Sequence, residues 1–185
     1  TGMTASPLDV VPAIILAGGK GTRIRSVHPD LPKPLIPVAG KPFLVWQIEY
    51  LRGQGIREVI LSIGYRASQI QEYFASHPVD GVHVTCVVED EPRGTGGAVR
   101  FSAAGMQSLT CFVLNGDSLC PAALEPMAAA AEMPGVDAVI LASRVDDARD
   151  YGTITTNRRG GVTGFLEKGA ATGAALVNAG VYCVR

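Results

Sequence analysis

Short runs of consecutive apolar residues alternate along this chain with stretches whose apolar residues recur at helical spacing. Val11 to Leu16 is continuously apolar and runs into glycines, which predicts a buried strand. Pro42 then opens a helix, at a position where its missing N–H costs nothing. Leu44, Ile48 and Leu51 recur there at i, i+4, i+7, Gly53 and Gly55 end the helix, and Phe43, Trp46 and Tyr50 read as core or helix-packing aromatics. Glu58 to Ile63 predicts a second strand, and Ser68 to Phe74 a short helix carrying Ile70, Tyr73 and Phe74 inward. Val82, Val84, Cys86 and Val88 alternate, so a third strand runs towards Glu89. Gly97 to Met106 reads as helix, Thr110 to Leu114 as strand, Pro121 to Ala131 as helix and Val136 to Ser143 as strand.

Alternation of strand and helix implies an α/β fold, a Rossmann-like, mostly parallel sheet flanked by helices on both faces. Beyond Tyr151 the texture changes. Short β segments at Gly152 to Thr156, Val162 to Leu166 and Val177 to Val184 replace the helices, which predicts a β-rich C-terminal extension. Ligands of open α/β sheets sit beyond the carboxyl ends of the strands. Three motifs fall there: Gly18 to Arg23, Glu89 to Gly97, and Asn115-Gly116-Asp117.

Composition narrows the class of protein. With 185 residues, 47% hydrophobic and 18% charged, the chain suits one globular domain with a substantial core. Residues 11–185 read as that domain, and residues 1–10 as a tail in which Thr1-Gly2 ahead of Met3 is a remnant of processing. A formal net charge of -1 gives no reason to expect nucleic acid or an anionic membrane as partner. No apolar run approaches the ~20 residues of a membrane span, and no signal-peptide pattern opens the chain, so a cytoplasmic location is expected. Cys86, Cys111, Cys120 and Cys183 form no CxxC pair and read as small buried hydrophobes; His28, His77 and His83 lack metal-ligand spacing.

Candidate chemistry concentrates in Ala13-Ile14-Ile15-Leu16-Ala17-Gly18-Gly19-Lys20-Gly21-Thr22-Arg23, with Pro32-Lys33-Pro34 shortly after it. Glycines let backbone amides approach an anion, and Lys20, Arg23, Arg25 and Lys33 supply countercharge, the means by which a protein holds a polyphosphate. Two common phosphate motifs match only weakly. A GxGxxG fingerprint starting at Gly19 would place its third glycine at Ile24, and the GxxxxGK[ST] order of a Walker A loop is absent.

The ordered set LAGGKGTRI, LPKPLIPVAGKP, EDEPRGTGGA, LNGDS, YG, FLEK and NAGVY resembles the sugar-1-phosphate nucleotidyltransferases, from about Val11 to the C-terminus. That resemblance implies a nucleotide-diphospho-sugar transferase fold and a reaction in which a sugar 1-phosphate attacks the α-phosphorus of an NTP, with Mg²⁺ present, releasing pyrophosphate. Within the family the similarity is greatest to members that transfer GMP from GTP to a heptose 1-phosphate, with mannose 1-phosphate the runner-up sugar. Partners are therefore expected to be GTP and a sugar 1-phosphate; a homo-oligomer is compatible with the sequence.

By the same resemblance, Leu16, Ala17, Gly18, Gly19, Gly21, Thr22 and Gly94 would contact the nucleotide, the glycine amides and Thr22 cradling its phosphates. Arg23 matches the arginine that holds the departing pyrophosphate, a role suited to a guanidinium fork. Lys33 matches the lysine at the α-phosphate, and Asp117 the aspartate that coordinates Mg²⁺. Lys168 matches the lysine on the sugar phosphate, with Asn115, Gly152, Glu167 and Asn178 around the sugar. Glu89 is expected to read guanine: two adjacent donors, N1–H and the exocyclic amine, suit a carboxylate, whereas uracil or thymine offers one donor flanked by acceptors. Glu91 is the alternative reader. The family's second metal-binding Asp or Asn, in a DIGTP-like stretch after NAGVY, has no counterpart in these residues, so the resemblance implies a chain shortened at its C-terminus. Two other readings remain: a nucleotide-sugar-binding regulatory module without catalysis, and a dinucleotide-dependent oxidoreductase.

Overall fold

The centre of the molecule is β1 (Ala13–Leu16), hydrogen-bonded on one side to β4 (Glu58–Ile63) and on the other to β6 (Cys111–Asn115), both parallel to it. The structure is a computed structural model and describes residues 7–19, 21 and 28–185. A strand flanked on both edges and covered on both faces must be apolar throughout, and Ala13, Ile14 and Ile15 are fully buried. Alternate side chains serve two cores. Ala13 and Ile15 belong to a large cluster, while Ile14 packs with Ile60, Cys111 and Val113 in a smaller one across the sheet.

The chain leaves β1, passes a small hairpin of β2 (Pro37–Val38) and β3 (Lys41–Pro42), and crosses through α1 (Phe43–Gly53) to β4. α2 (Ala67–Ser76) carries it on to β5 (His83–Val88), parallel to β4 at the edge. Leu44, Ile48 and Leu51 of α1 and Ile70 of α2 are wholly inside the large cluster. Each such side chain contributes about 1.5–3 kcal/mol by burial. α3 (Gly94–Ser102), continued by a 3-10 turn at Ala103–Gly105, returns the chain to β6 on the opposite face, with Val99 and Ala103 against the smaller cluster.

After β6 comes α4 (Glu125–Ala131), then β7 (Ala138–Val145), β8 (Thr153–Thr156), β9 (Val162–Leu166) and β10 (Ala175–Val184). β10 is the organising strand of this half: it runs antiparallel to β6 through Val181–Val184 and antiparallel to β8 through Leu176 and Val177, and β7 also pairs with it. The result is one mixed sheet of eight strands, parallel in its β5-β4-β1-β6 half and antiparallel beyond.

The α/β class and the β-rich extension agree with the sequence reading, while several boundaries differ: Pro42 lies in β3 and α1 begins at Phe43, α2 spans Ala67–Ser76, and three further elements depart as follows. The predicted Pro121–Ala131 helix begins only at Glu125. Proline at 126 has no N–H for the carbonyl of Ala122, which instead accepts from the Tyr50 hydroxyl at 2.5 Å, while Gln54 Oε1 accepts from Leu124 N at 3.1 Å. The predicted Gly97–Met106 helix starts three residues earlier, at Gly94, and gives way to 3-10 geometry at Ala103. The predicted Val136–Ser143 strand is shifted to Ala138–Val145 by a turn in which Val136 N donates to Met133 O, and it pairs antiparallel with β10. Among the described residues no helix is long and apolar enough to cross a membrane.

Candidate active site

The described parts of the three motifs predicted at the strand ends meet at one rim of the sheet. β1 ends in the glycine-rich segment, where Ala17 N donates to Ser62 O at 2.8 Å and so continues the β1–β4 ladder by one bond. Leu16, Gly18, Gly19, Glu89 and Gly94 line a cavity of about 690 Å³, together with Gly64 and Tyr65 from the end of β4. Ala17 is buried behind this wall. Gly21 lies in the left-handed region, φ 56°. Lys20, Thr22, Arg23, Ile24 and Arg25 lie outside the described residues.

Glu89 sits directly after β5, and Glu89 N donates to Ile63 O at 2.8 Å. Its carboxylate is gripped from two sides: Ser62 Oγ donates to Oε1 at 2.7 Å and Arg93 N to Oε2 at 3.4 Å. Ser62 is fully buried. A Cβ placed on Gly18 would stand 3.5 Å from Glu89 Oε1, so the carboxylate borders the glycine loop itself. The structure thus places Glu89 on the cavity wall, and Glu91 is not among the lining residues.

Lys33 opens a 3-10 turn (Lys33–Leu35) whose Pro34 and Leu35 are buried. The turn packs on α1, and Phe43 N donates to Ile36 O at 3.1 Å. Lys33 Nζ meets Asp117 Oδ2 at 2.8 Å across 84 residues of sequence. Both ends are open to solvent, with side chains 37% and 54% exposed. Such a pair is worth only ~0–1 kcal/mol, so a phosphate or cation can displace either partner cheaply.

Asp117 rides on the turn that ends β6. Gly116 N donates to Leu16 O at 2.9 Å, and a Cβ at Gly116 would lie 2.6 Å from that same oxygen. Only glycine allows the turn to press this closely on β1. Gly180 on β10, φ 73°, closes the other side; a Cβ there would approach Asn115 Nδ2 to 2.6 Å and Ser118 Oγ to 3.0 Å. Asn178 Oδ1 accepts from Gly180 N at 2.9 Å, and its Nδ2 donates to the Tyr182 hydroxyl at 2.6 Å, spanning the irregularity in the β10–β7 pairing.

On the antiparallel side, Asn178 N donates to Gly152 O at 3.4 Å, and the pairing of Thr153 with Leu166 brings Gly152 and Glu167 to the same end of the β8–β9 ladder. Lys168 Nζ lies 3.9 Å from Asp150 Oδ1, both exposed. Among the described contacts, Glu167 and Lys168 are not joined to Asn178 or Asn115 directly. The sequence reading missed Gln47 and Ser62, whose side chains hold the predicted residues from behind. Each carried a signal: a glutamine on the apolar stripe of α1, and a serine inside the apolar run of β4.

The fold, the phosphate-suited glycine loop and the Lys33–Asp117 pair define a nucleotide-handling α/β protein. The chain belongs to the nucleotidyl transferase family, whose model matches residues 12–184. It is 36% identical over 170 residues to D-glycero-alpha-D-manno-heptose 1-phosphate guanylyltransferase of Campylobacter jejuni, covering 92% of this chain and 74% of that protein. Mannose-1-phosphate guanylyltransferase of Mycobacterium tuberculosis is 34% identical over 172 residues, covering 93% of this chain but only 48% of that one. Among solved structures, HddC from Yersinia pseudotuberculosis, crystallised in complex with GMP-PN, superposes with a TM-score of 0.84 at 34% identity, over 94% of this chain and 76% of that one.

Proposed function

We propose that this nucleotidyltransferase joins GMP from GTP to D-glycero-α-D-manno-heptose 1-phosphate, giving the GDP-sugar and pyrophosphate. The observation that carries the reading is Glu89: a carboxylate at the mouth of the parallel half, beside Gly18, with Ser62 and Arg93 N fixing its plane. Two acceptor oxygens side by side match the adjacent N1–H and amino donors of guanine and oppose the single donor of uracil or thymine. Kinship with heptose and mannose guanylyltransferases supports the same base.

Chemically, an oxygen of the sugar phosphate forms a new bond to the α-phosphorus, and the bond from that phosphorus to the α–β bridging oxygen breaks, so pyrophosphate leaves. No proton needs to move. The protein's work is to align two polyanions and neutralise them. Lys33 stands at the α-phosphate, free to leave Asp117 once a phosphate competes for it. Arg23 takes the pyrophosphate, and Lys168 takes the sugar phosphate, with Asn115, Gly152, Glu167 and Asn178 around the sugar.

Mg²⁺ is proposed as cofactor. Among the described residues there is no cluster of three or more His, Cys, Asp or Glu, and the donor at hand is the exposed Asp117 carboxylate. That set suits Mg²⁺, which is commonly held by one or two carboxylates completed by substrate phosphates. When bound it supplies charge neutralisation at the phosphates.

The test is pyrophosphate release with Mg²⁺, each common NTP and either heptose or mannose 1-phosphate. Release confined to GTP and the heptose is expected. Release with mannose 1-phosphate instead moves the sugar assignment to the runner-up, and equal release with UTP or dTTP overturns the guanine reading. Glu89→Gln should lower kcat/KM for GTP about 10- to 100-fold, the worth of one hydrogen bond to a charged group, and narrow the preference over UTP.

A further inference from the structure

Gln47 occupies a core position on α1 between Leu44 and Ile48 and is fully buried. Its Nε2 donates twice, to Asn115 O and to Ser118 O, both at 2.8 Å. Those two carbonyls bracket Gly116 and Asp117. One amide therefore ties together both ends of the turn that presents the carboxylate.

Core stability alone does not account for this residue. The other side-chain atom, Gln47 Oε1, is buried without a partner, a penalty set against the two carbonyls that its Nε2 satisfies. Placement of the turn does account for it. With Asn115 O and Ser118 O both drawn inward to α1, and Gly116 N fixed to Leu16 O at 2.9 Å, the Asp117 side chain faces outward, where Lys33 meets it at 2.8 Å. The Lys33 turn is seated on the same helix, through its packing on α1 and the Phe43 N to Ile36 O bond. Both charged groups are thus referenced to one rigid element.

We infer that Gln47 is a positioning residue for phosphate chemistry at this site: its amide sets the Asp117 carboxylate relative to Lys33 and to the end of β1. Gln47 touches neither substrate nor metal and acts only through the turn. The inference rests on the proposed roles of Asp117 and Lys33. Its ligand chemistry is that of a divalent cation that Asp117 would help to hold, and its effect is expected on the metal and phosphate step rather than on base reading.

The experiment uses Gln47→Met, which keeps volume and flexibility and deletes the donors. Loss of such an outer-shell partner lowers metal affinity or activity by about 10- to 100-fold. A fall of that size is expected in kcat, with a matching rise in half-saturating Mg²⁺, little change in KM for GTP and only a modest fall in thermal midpoint from the two carbonyls left without their donor. A second readout needs no activity: amide hydrogen exchange of the metal-free protein should quicken in residues 115–118 and stay unchanged in α1 and β4. Unchanged exchange in the turn with wild-type kcat overturns the inference. So does a general loss of protection that reaches α1 and β4, which would make Gln47 a core residue only. Gln47→Leu serves if the methionine variant does not fold. Should neither fold, wild-type exchange decides at Gly116, whose N–H bonds Leu16 O: protection there like that of β6 supports a fixed turn, and exchange like an open loop sinks it. Asp117→Asn is run in parallel. If that variant keeps full activity, the proposed role of Asp117 is wrong, whatever the exchange data say about the clamp.

Discussion

On the proposed reading, function at Glu89 turns on how a carboxylate is held. Ser62 is fully buried and donates to Oε1 at 2.7 Å, so the acceptor plane offered to a base is set from inside β4. Ser62→Ala should leave the fold intact while lowering kcat/KM for GTP about 10-fold, since a hydrogen bond to a charged group is worth about 1.5–3 kcal/mol and the Arg93 N contact remains. Nucleotide competition assays on the variant measure this, and an unaltered GTP preference would remove Ser62 from the reading apparatus. Sequence motifs exposed Glu89, Lys33 and Asp117 because each stands in a short, distinctive string. They did not expose Ser62 or Gln47, whose partners lie 27 to 71 residues away. Long-range contacts of that kind leave only a polar residue in an apolar run as their trace.

Among the elements, β1, β4 and α1 were legible because apolar runs and helical spacing report burial directly. α4 was misjudged at its start, since whether residues 121–124 are helical depended on Tyr50 of α1 and on Gln54 just beyond it. The direction of β7 was equally hidden. Alternation of strand and helix suggests parallel pairing, but the neighbour of β7 is β10, which enters from far along the chain. Packing of the elements makes two predictions. Ile48→Ala, in the fully buried stripe of α1, should cost about 2–5 kcal/mol in chemical denaturation. Gly116→Ala should cost at least ~1–3 kcal/mol by overpacking, because the atom it would strike, Leu16 O, belongs to the rigid backbone of β1. A Gly116→Ala protein as stable as wild type would mean that the turn can slide off β1.

At the scale of the whole molecule the two buried thiols, Cys111 on β6 and Cys183 on β10, sit where the parallel and antiparallel halves of the sheet meet. Burial pushes each thiol from 9.0 up to about 11, and for Cys183 the neighbouring Cys111 adds to the rise. The unfolded chain releases these protons from about pH 9 while the folded one keeps them to about 11. Their contribution to stability is therefore complete below pH 9 and lost as pH climbs to about 11. Urea midpoints across that window should fall, and less steeply in the Cys111→Val, Cys183→Val double variant. Alkylation of the native protein at neutral pH should spare both positions.

β10 also changes partner along its length, from β8 at Leu176 and Val177 to β6 from Val181 onward, with Gly180 and the Asn178 contacts at the changeover. On the proposed reading, the nucleotide is handled by strands whose neighbours were laid down early in the chain, and the sugar by strands hung from the far end of β10. Diversification can then proceed unevenly. The β8–β9 edge can exchange residues and recruit a different sugar while the base-reading wall keeps its register. A lineage changing its base has to rewrite the interior of the parallel half. The changeover at Gly180 is where a domain graft between relatives would have to be spliced.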